Sequence, residues 1–398
     1  MSLLAADTRL YPQRYAIVDA VRGCAALLVV LAHLHLPSAQ SSDHATSPAV
    51  FPYGHQAVLA FFVISGYCIA ASAQGCIRNG FTFRGFMLRR FKRIYPPYLC
   101  AIGFWALSRL VKYQMGGEWS LDRTPTEWLQ NITLTQWLSL IWDPLNSAAA
   151  NPRLFVAAFW SLCYEEQFYL VIAALLAVSG RFPQAVLHGT VALAVIGIAW
   201  GAAYPTLRFG FFIEYWAAFA AGLLAFYRLS VTPSGRSRRA IDCSLAIVCL
   251  ASASIAWFAG INWGPAVING EPLIVSWASL AIASGMALAL IALRPLDERY
   301  RSFQLISRPL AGLATISYSL YLTHQFCLVF STKLATSVLD PSRQAALFVI
   351  AQVAVLLAVA TVFWFFCERP FLNRRIVPTA RPDSREQSDS IVSERGNR

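Results

Sequence analysis

Long apolar stretches recur along almost the whole chain, and no other feature constrains its fold as tightly. Ten of them, at 16–36, 52–74, 95–114, 155–178, 185–203, 209–228, 241–261, 273–293, 310–331 and 345–367, are each long enough to cross a hydrocarbon layer as a helix. A backbone in lipid must satisfy its own hydrogen bonds, so such segments take the helical form. With 57% apolar and 13% charged residues in 398, and a mean hydropathy of +0.52, an ordinary soluble domain is excluded. The expectation is an all-α, polytopic integral membrane protein with about ten transmembrane helices. It has one integral domain over residues 1–378 and a polar, disordered tail over 379–398.

The formal net charge of +12 could suggest a nucleic-acid partner, but its placement argues otherwise. With the N-terminus inside, the segments that face the cytoplasm hold 23 of the 32 Lys and Arg residues. That bias is the positive-inside pattern, and it sets both termini in the cytoplasm. A cleaved leader ending near Ser38-Ala39-Gln40 is disfavoured, because the run from Ala16 to Leu36 is of span length and carries Asp19 and Arg22. Eight of the nine cysteines fall inside or at the ends of apolar segments, where they read as small buried side chains. No Cys or His spacing resembles a metal site or a redox pair.

Charges inside such segments need a reason. Arg22 and His33 lie eleven residues apart in the first span, about three helical turns, so they share a face about 16 Å apart along the axis. A buried guanidinium is costly and faces the protein interior or a pathway. Asp19 is three residues from Arg22 and reads first as its ion-pair partner. His33 has no such account; neutral imidazole is the commonest side chain for taking a proton from a hydroxyl. His35 is turned away from that stripe, and His44 and His55 have no assignment.

Further along, Arg84 to Pro97 packs Arg89, Arg90, Lys92 and Arg93 into one stretch before span three. Arg89 and Arg93 are four apart on one face, and grouped guanidiniums fork onto phosphate oxygens. Anionic lipid of the inner leaflet is the competing partner. Pro96-Pro97 predicts a break in the helix there. The long outer loop over 115–154 is rich in tryptophan, and Thr126 to Ile141 reads as one amphipathic helix on the membrane surface. Its Asn131-Ile132-Thr133 matches a glycosylation acceptor by chance-level pattern only.

In the fourth span, Glu165 and Glu166 are adjacent and face different directions, while Glu165 and Tyr169 share a face. Glu165 is expected at the depth of His33, where a carboxylate could orient the imidazole. Glu214 is a second candidate for that layer, and His324 lies in span nine after Tyr318 and Tyr321. Ser65 has no base at a nucleophile-like spacing. Glu368-Arg369-Pro370 closes the last span and reads as a structural cap.

Taken together, Asp19-x-x-Arg22-Gly23 with His33, Phe61-Phe62-Val63-Ile64-Ser65-Gly66, Arg93-Ile94-Tyr95-Pro96, Trp160-Ser161-Leu162 with Glu165-Glu166-Gln167-Phe168-Tyr169, Ile316 to Leu322 with His324, and Glu368-Arg369-Pro370 resemble the ordered motifs of membrane acyltransferase family 3. This group contains the O-antigen, exopolysaccharide and Nod-factor acyltransferases. The resemblance covers roughly residues 14–378. The chain departs from the pattern at Ala57-Val58-Leu59, where many members read Gly-Val-Asp, and at Cys163-Tyr164. No hydrolase-like domain follows the last span, as in the stand-alone form.

The resemblance implies a membrane-bound O-acyltransferase, moving an acyl group, commonly acetyl, from acyl-CoA to a hydroxyl of a carbohydrate or glycolipid. It implies no permanently bound cofactor and no metal. His33 would be the general base, with Arg22, Glu165 and Glu166 as its catalytic companions. Arg89, Arg90 and Arg93 would hold the donor; Asp19, Tyr169, Glu214, Tyr318 and His324 would line the substrate path. Direct transfer and an acyl-histidine relay both fit. The rival is a transporter or flippase of a sugar or lipid-linked solute, which predicts inverted repeats with broken helices. No such repeats are evident.

Overall fold

The computed structural model describes residues 15–35, 49–51, 53–78, 83–114, 116, 118–142, 154–179, 185–203, 209–230, 235–262, 267–268, 271–272, 277–341 and 343–372. The helices in chain order are α1 (Ala16–His33), α2 (Gly54–Arg78), α3 (Phe83–Gln114), α4 (Pro125–Ile132), α5 (Trp160–Ser179), α6 (Ala185–Ala203), α7 (Trp216–Ser230), α8 (Gly235–Asn262), α9 (Trp277–Ala292), α10 (Asp297–Ser302), α11 (Gln304–Thr336) and α12 (Ala345–Phe363). A two-stranded antiparallel ladder, Val267–Ile268 with Glu271–Pro272, is the β-structure among the described residues. The protein is thus all-α in architecture, and each apolar segment foreseen from sequence overlaps one helix, although α7 and α9 have only 15 and 16 residues.

Four of the helical stretches, Ala16–His33, Gln56–Cys76, Ala157–Val178 and Ala345–Phe371, are long and apolar enough to cross a membrane by length and composition. α12 shows why: it is almost wholly apolar and leaves Leu347, Ile350 and Val362 outward, a surface suited to lipid rather than water. The interior is built by α1, α2, α5, α7 and α11, with Phe62, Phe159, Phe168, Trp216 and Phe219 fully enclosed.

Two close crossings set this core. Gly23 of α1 lies against the Leu310 carbonyl of α11, where an added methyl carbon would sit 2.9 Å from it. Gly66 of α2 and Gly222 of α7 face the partner's backbone directly, at the carbonyls of Phe219 and Val63, with no room for a side chain. Small residues let helices pack backbone to backbone where a bilayer gives little hydrophobic drive for association.

The start of α1 is held from far away in the chain. Tyr15 offers no capping side chain, and the amide of Ile17 instead donates to Asp297 Oδ1 at 3.1 Å. Asp297 is buried and also receives Arg294 at 3.1 Å and Arg301 at 2.8 Å. The Tyr15 hydroxyl donates to the Leu290 carbonyl at 2.5 Å, and Arg294 lies over its ring. This clamp fixes the depth and rotation of α1, and so the directions of Arg22 and His33.

Two local expectations are corrected. α3 runs unbroken through Pro96 and Pro97, so the arginine cluster belongs to the same rod as the apolar segment that follows. Proline usually costs a helix interior about 3 kcal/mol. Here flanking packing of Phe86, Ile94, Tyr98 and Ala101 holds both sides, and Tyr318 donates to the Ile94 carbonyl at 3.0 Å. The surface helix foreseen over Thr126 to Ile141 is two pieces. α4, opened by a Thr124–Glu127 capping box, ends before Leu134 (φ 57°), and a 3₁₀ segment follows at Gln136–Trp142. Asn131 is buried, donating to the Glu127 carbonyl at 2.9 Å and accepting the Phe155 amide at 3.0 Å, so it is a loop staple and not a glycan acceptor.

Candidate active site

A cavity of about 110 Å³ lies between α1, α2, α3, α5 and α11. The sequence explains its lining by helical spacing. On α2, Phe61, Ser65 and Cys68 are four and three apart; on α5, Ser161, Glu165 and Tyr169 are successive fours; on α11, Ser317, Tyr318 and Tyr321 share one face. α1 contributes Arg22, and α3 contributes Arg90, Arg93 and Ile94.

Guanidiniums outnumber carboxylates in the lining itself, with Asp19 and Glu368 acting on Arg22 and Arg93 from just outside it. Among the described residues lining it, Arg22, Arg90 and Arg93 stand against one carboxylate, Glu165. Arg22 Nη2 is 2.7 Å from Cys68 Sγ, and its Nη1 is 3.8 Å from Asp19. Arg90 lies over the Tyr169 ring, 5.3 Å from its centre, and donates to the Cys68 carbonyl at 3.4 Å. Glu165 Oε1 accepts from Ser65 Oγ at 2.7 Å and from the Tyr169 hydroxyl. Arg22 and Arg90 are half-buried and Arg93 is exposed, and guanidiniums grouped in this way suit a multiply charged anion arriving from solvent.

Above Ser65 the lining turns aromatic, and the cavity ends at a latch. The Tyr321 hydroxyl meets Ser161 Oγ at 2.6 Å and donates to the Ala158 carbonyl. The amide of that same residue donates to Gln325 Oε1 at 2.8 Å. One residue at the mouth of α5 is therefore held at both its amide and its carbonyl by side chains one turn apart on α11. Phe61 closes the layer, 6.0 Å from the Tyr321 ring.

Beyond the latch are two histidines. His33 and His324 lie with ring centres 4.9 Å apart and planes at 67°. The Nδ1 of His33 is 2.8 Å from the Val29 carbonyl; the Nδ1 of His324 is 2.8 Å from the Tyr321 carbonyl and 3.2 Å from that of Leu320. His324 is fully buried, and its Nε2 meets no hydrogen-bond partner among the described residues.

The foreseen residues therefore divide. Arg22, Arg90, Arg93, Glu165, Tyr169 and Tyr318 converge on the cavity; His33 and His324 converge on each other one layer away. Several expectations are corrected. Glu165 sits at the level of Arg22, bonded to Ser65 and Tyr169, and does not orient His33, because its oxygens face the α2 hydroxyl and not the outer end of α1. Glu166 turns to the Tyr95 hydroxyl on α3, outside the cavity. Arg89 points to Cys76 Sγ at 2.7 Å, so Arg90 and Arg93, three apart on the rod, are the pair that enters. Glu214 caps the turn before α7, its Oε1 accepting the amides of Phe209 at 2.8 Å and Gly210 at 3.0 Å while Oε2 accepts the Tyr164 hydroxyl at 2.6 Å. Asp19 stays with Arg22 outside the lining. His44 and the side chain of His55 lie outside the described residues.

Cys68, Ser161 and Tyr321 are lining residues that sequence reasoning did not single out, and Ser65 is one that it set aside. Their spacing from Phe61, Glu165 and Tyr318 was the available signal.

The fold and this interior define an all-helical membrane protein with an anion-attracting chamber beneath a pair of imidazoles. The chain belongs to acyltransferase family 3, the family described as "Acyltransferase domain", whose match covers residues 15–369. A curated relative, "Protein 2 in picA locus" of Rhizobium radiobacter, is 33% identical over 106 residues, 26% of this chain and 51% of the relative. The chain thus spans about half the length of that relative. No solved structure matches it.

Proposed function

We propose that this membrane acyltransferase takes an acyl group, commonly acetyl, from cytoplasmic acyl-CoA and transfers it to a hydroxyl of a carbohydrate or glycolipid. The setting is a bacterial inner membrane with both termini in the cytoplasm. One observation carries the reading: three guanidiniums and one carboxylate line a chamber built in part by α1, the helix that carries His33. Arg90 and Arg93 would fork onto the donor's phosphate oxygens, and Arg22 would steer the chain of the donor inward. His33 would accept the hydroxyl proton at Nε2 as the oxygen attacks the thioester carbonyl. The carbon–sulfur bond then breaks, and the departing thiolate takes the proton back from the imidazolium. The acceptor rests on the family resemblance alone.

The test uses inverted membrane vesicles containing the full chain, labelled acetyl-CoA as donor and the vesicles' own glycans as acceptor, with mass spectrometry of the product. His33→Ala is expected to fold, to retain donor binding and to lose label incorporation to background. Normal incorporation by that variant would remove His33 from the reaction. Donor-independent movement of the glycan across the vesicle, without label, would replace the reading with transport.

A further inference from the structure

We infer that Glu368 is the resident counter-ion of the donor chamber, a carboxylate that partners Arg93 and Arg22 between turnovers and competes with the donor's phosphates for them. The inference rests on the acyl-transfer reading and gives Glu368 the part of a positioning residue, acting through the guanidiniums.

By sequence Glu368 reads as an end cap, but the helix turns it inward. Along α12 the buried side chains are Phe348, Gln352, Leu356, Ala360 and Phe363, in steps of four and three that follow one helical face. Continued regularly, that face would next present Phe366 or Cys367. Phe366 is exposed instead, and Glu368, five residues beyond Phe363, is 2% exposed. The cause is local: Trp364–Glu368 is a π-helical turn, wider by about one residue than an α turn. Such turns are rare and concentrate at functional sites. Arg369, next in the chain, is exposed and lies over the rings of Trp364 and Phe365, 5.7 Å and 5.0 Å from their centres, so it does not follow the carboxylate inward.

The π turn packs against α3 and α11, two of the helices that line the chamber. There Ser319 Oγ donates to Glu368 Oε2 at 2.5 Å, one residue along from the lining Tyr318. The cations whose charge reaches the carboxylate are Arg93, foremost, and Arg22, both in the lining. A carboxylate buried this deeply needs a cation, and it meets the ones assigned to the donor.

The reaction gives that arrangement a purpose. Acyl-CoA and free CoA carry the same phosphate groups, so guanidiniums that grip the donor grip the product as firmly. A fixed carboxylate beside Arg93 offers the guanidinium a second partner each time a phosphate lets go. Release of CoA is thereby speeded, and no guanidinium is left unpaired between turnovers. The hold on the donor weakens by the same measure, because the competition is for phosphate and not for the acyl group.

Glu368→Gln keeps the size and an oxygen for Ser319 while removing the charge. In nanodiscs holding the full chain, titration calorimetry with CoA is expected to give a Kd about tenfold below the wild type, the effect of removing one charged competitor at Arg93. Dissociation of labelled CoA should slow by a similar factor, and combining the change with Arg93→Gln should remove most of the tightening. A carboxylate that only caps the helix would lower the unfolding midpoint without tightening CoA. Unchanged or weaker CoA binding in the Gln variant, tightening without slower dissociation, or full tightening in the Arg93→Gln background overturns the counter-ion. Should the Gln variant fail to fold, Glu368→Asp, its charge drawn back by one methylene, decides by the same titration: tighter CoA with slower dissociation supports the inference, and native binding overturns it. A wild-type protein that binds neither CoA nor acetyl-CoA would sink the acyl-transfer reading itself, and this inference with it.

Discussion

The chamber around Arg22 and the layer around His33 are built by the same two helices, yet they are chemical opposites. Below, α1 and α11 join α3 and α5 to crowd three guanidiniums, a carboxylate and several hydroxyls into one space. Above, they bring two imidazole rings against each other, His324 fully buried and His33 half-buried. The boundary is a single aromatic layer, Phe61 and Tyr321, pinned to Ser161 and Ala158. A charged ligand is thus favoured on one side and a neutral hydroxyl on the other, which is the division that acyl transfer from a phosphorylated donor requires.

The strongest blow to this contrast comes from the chamber floor. Arg90→Ala with Arg93→Ala removes two charge-assisted contacts worth about 1.5–3 kcal/mol each, so KM for acetyl-CoA should rise about 100-fold or more. Isothermal titration of acetyl-CoA in nanodiscs measures it; unchanged binding would mean the donor enters elsewhere. Tyr321→Phe is next. It unties the latch, leaves the Ala158 carbonyl short of a donor, and should change kcat about tenfold, near 1.4 kcal/mol, with little change in donor KM. A rise in KM with native kcat would make Tyr321 part of the chamber and not its boundary.

Smaller effects sharpen the edges. Glu214→Gln should cost about 1–2 kcal/mol of stability, read as a lowered unfolding midpoint in detergent, with both kinetic constants native. A kinetic defect without a stability loss would return Glu214 to the substrate path. Arg89→Ala should leave turnover and donor binding within about twofold of wild type, since its guanidinium faces Cys76.

The fold was the more legible half. Apolar run length and the satisfaction of backbone groups in lipid dictate helices wherever the sequence offers them, and the starts of Ala16–His33 and Ala345–Phe363 were read to the residue while their ends were set a turn too far. The site was legible by residue type but not by direction. Arg22 and Tyr169 proclaimed themselves as polar groups in apolar runs. Glu165 and Glu166 did not reveal which would turn inward, because a rotation of about 100° per residue separates them and only neighbouring helices decide it. Arg89 and Arg93 looked paired by spacing, yet α3 rotates Arg90 inward instead, a choice made by Tyr169 and Cys68 from other helices. Pro96-Pro97 misled for the same reason: tertiary packing overrode the local preference.

The glycine seam between α2 and α7 has a mechanical consequence. With Gly66 and Gly222 seated on each other's main chain, these two rods cannot slide or roll apart without collision. α2 therefore serves as a fixed jamb, and any widening needed to admit or release a bulky molecule must come from helices outside this seam.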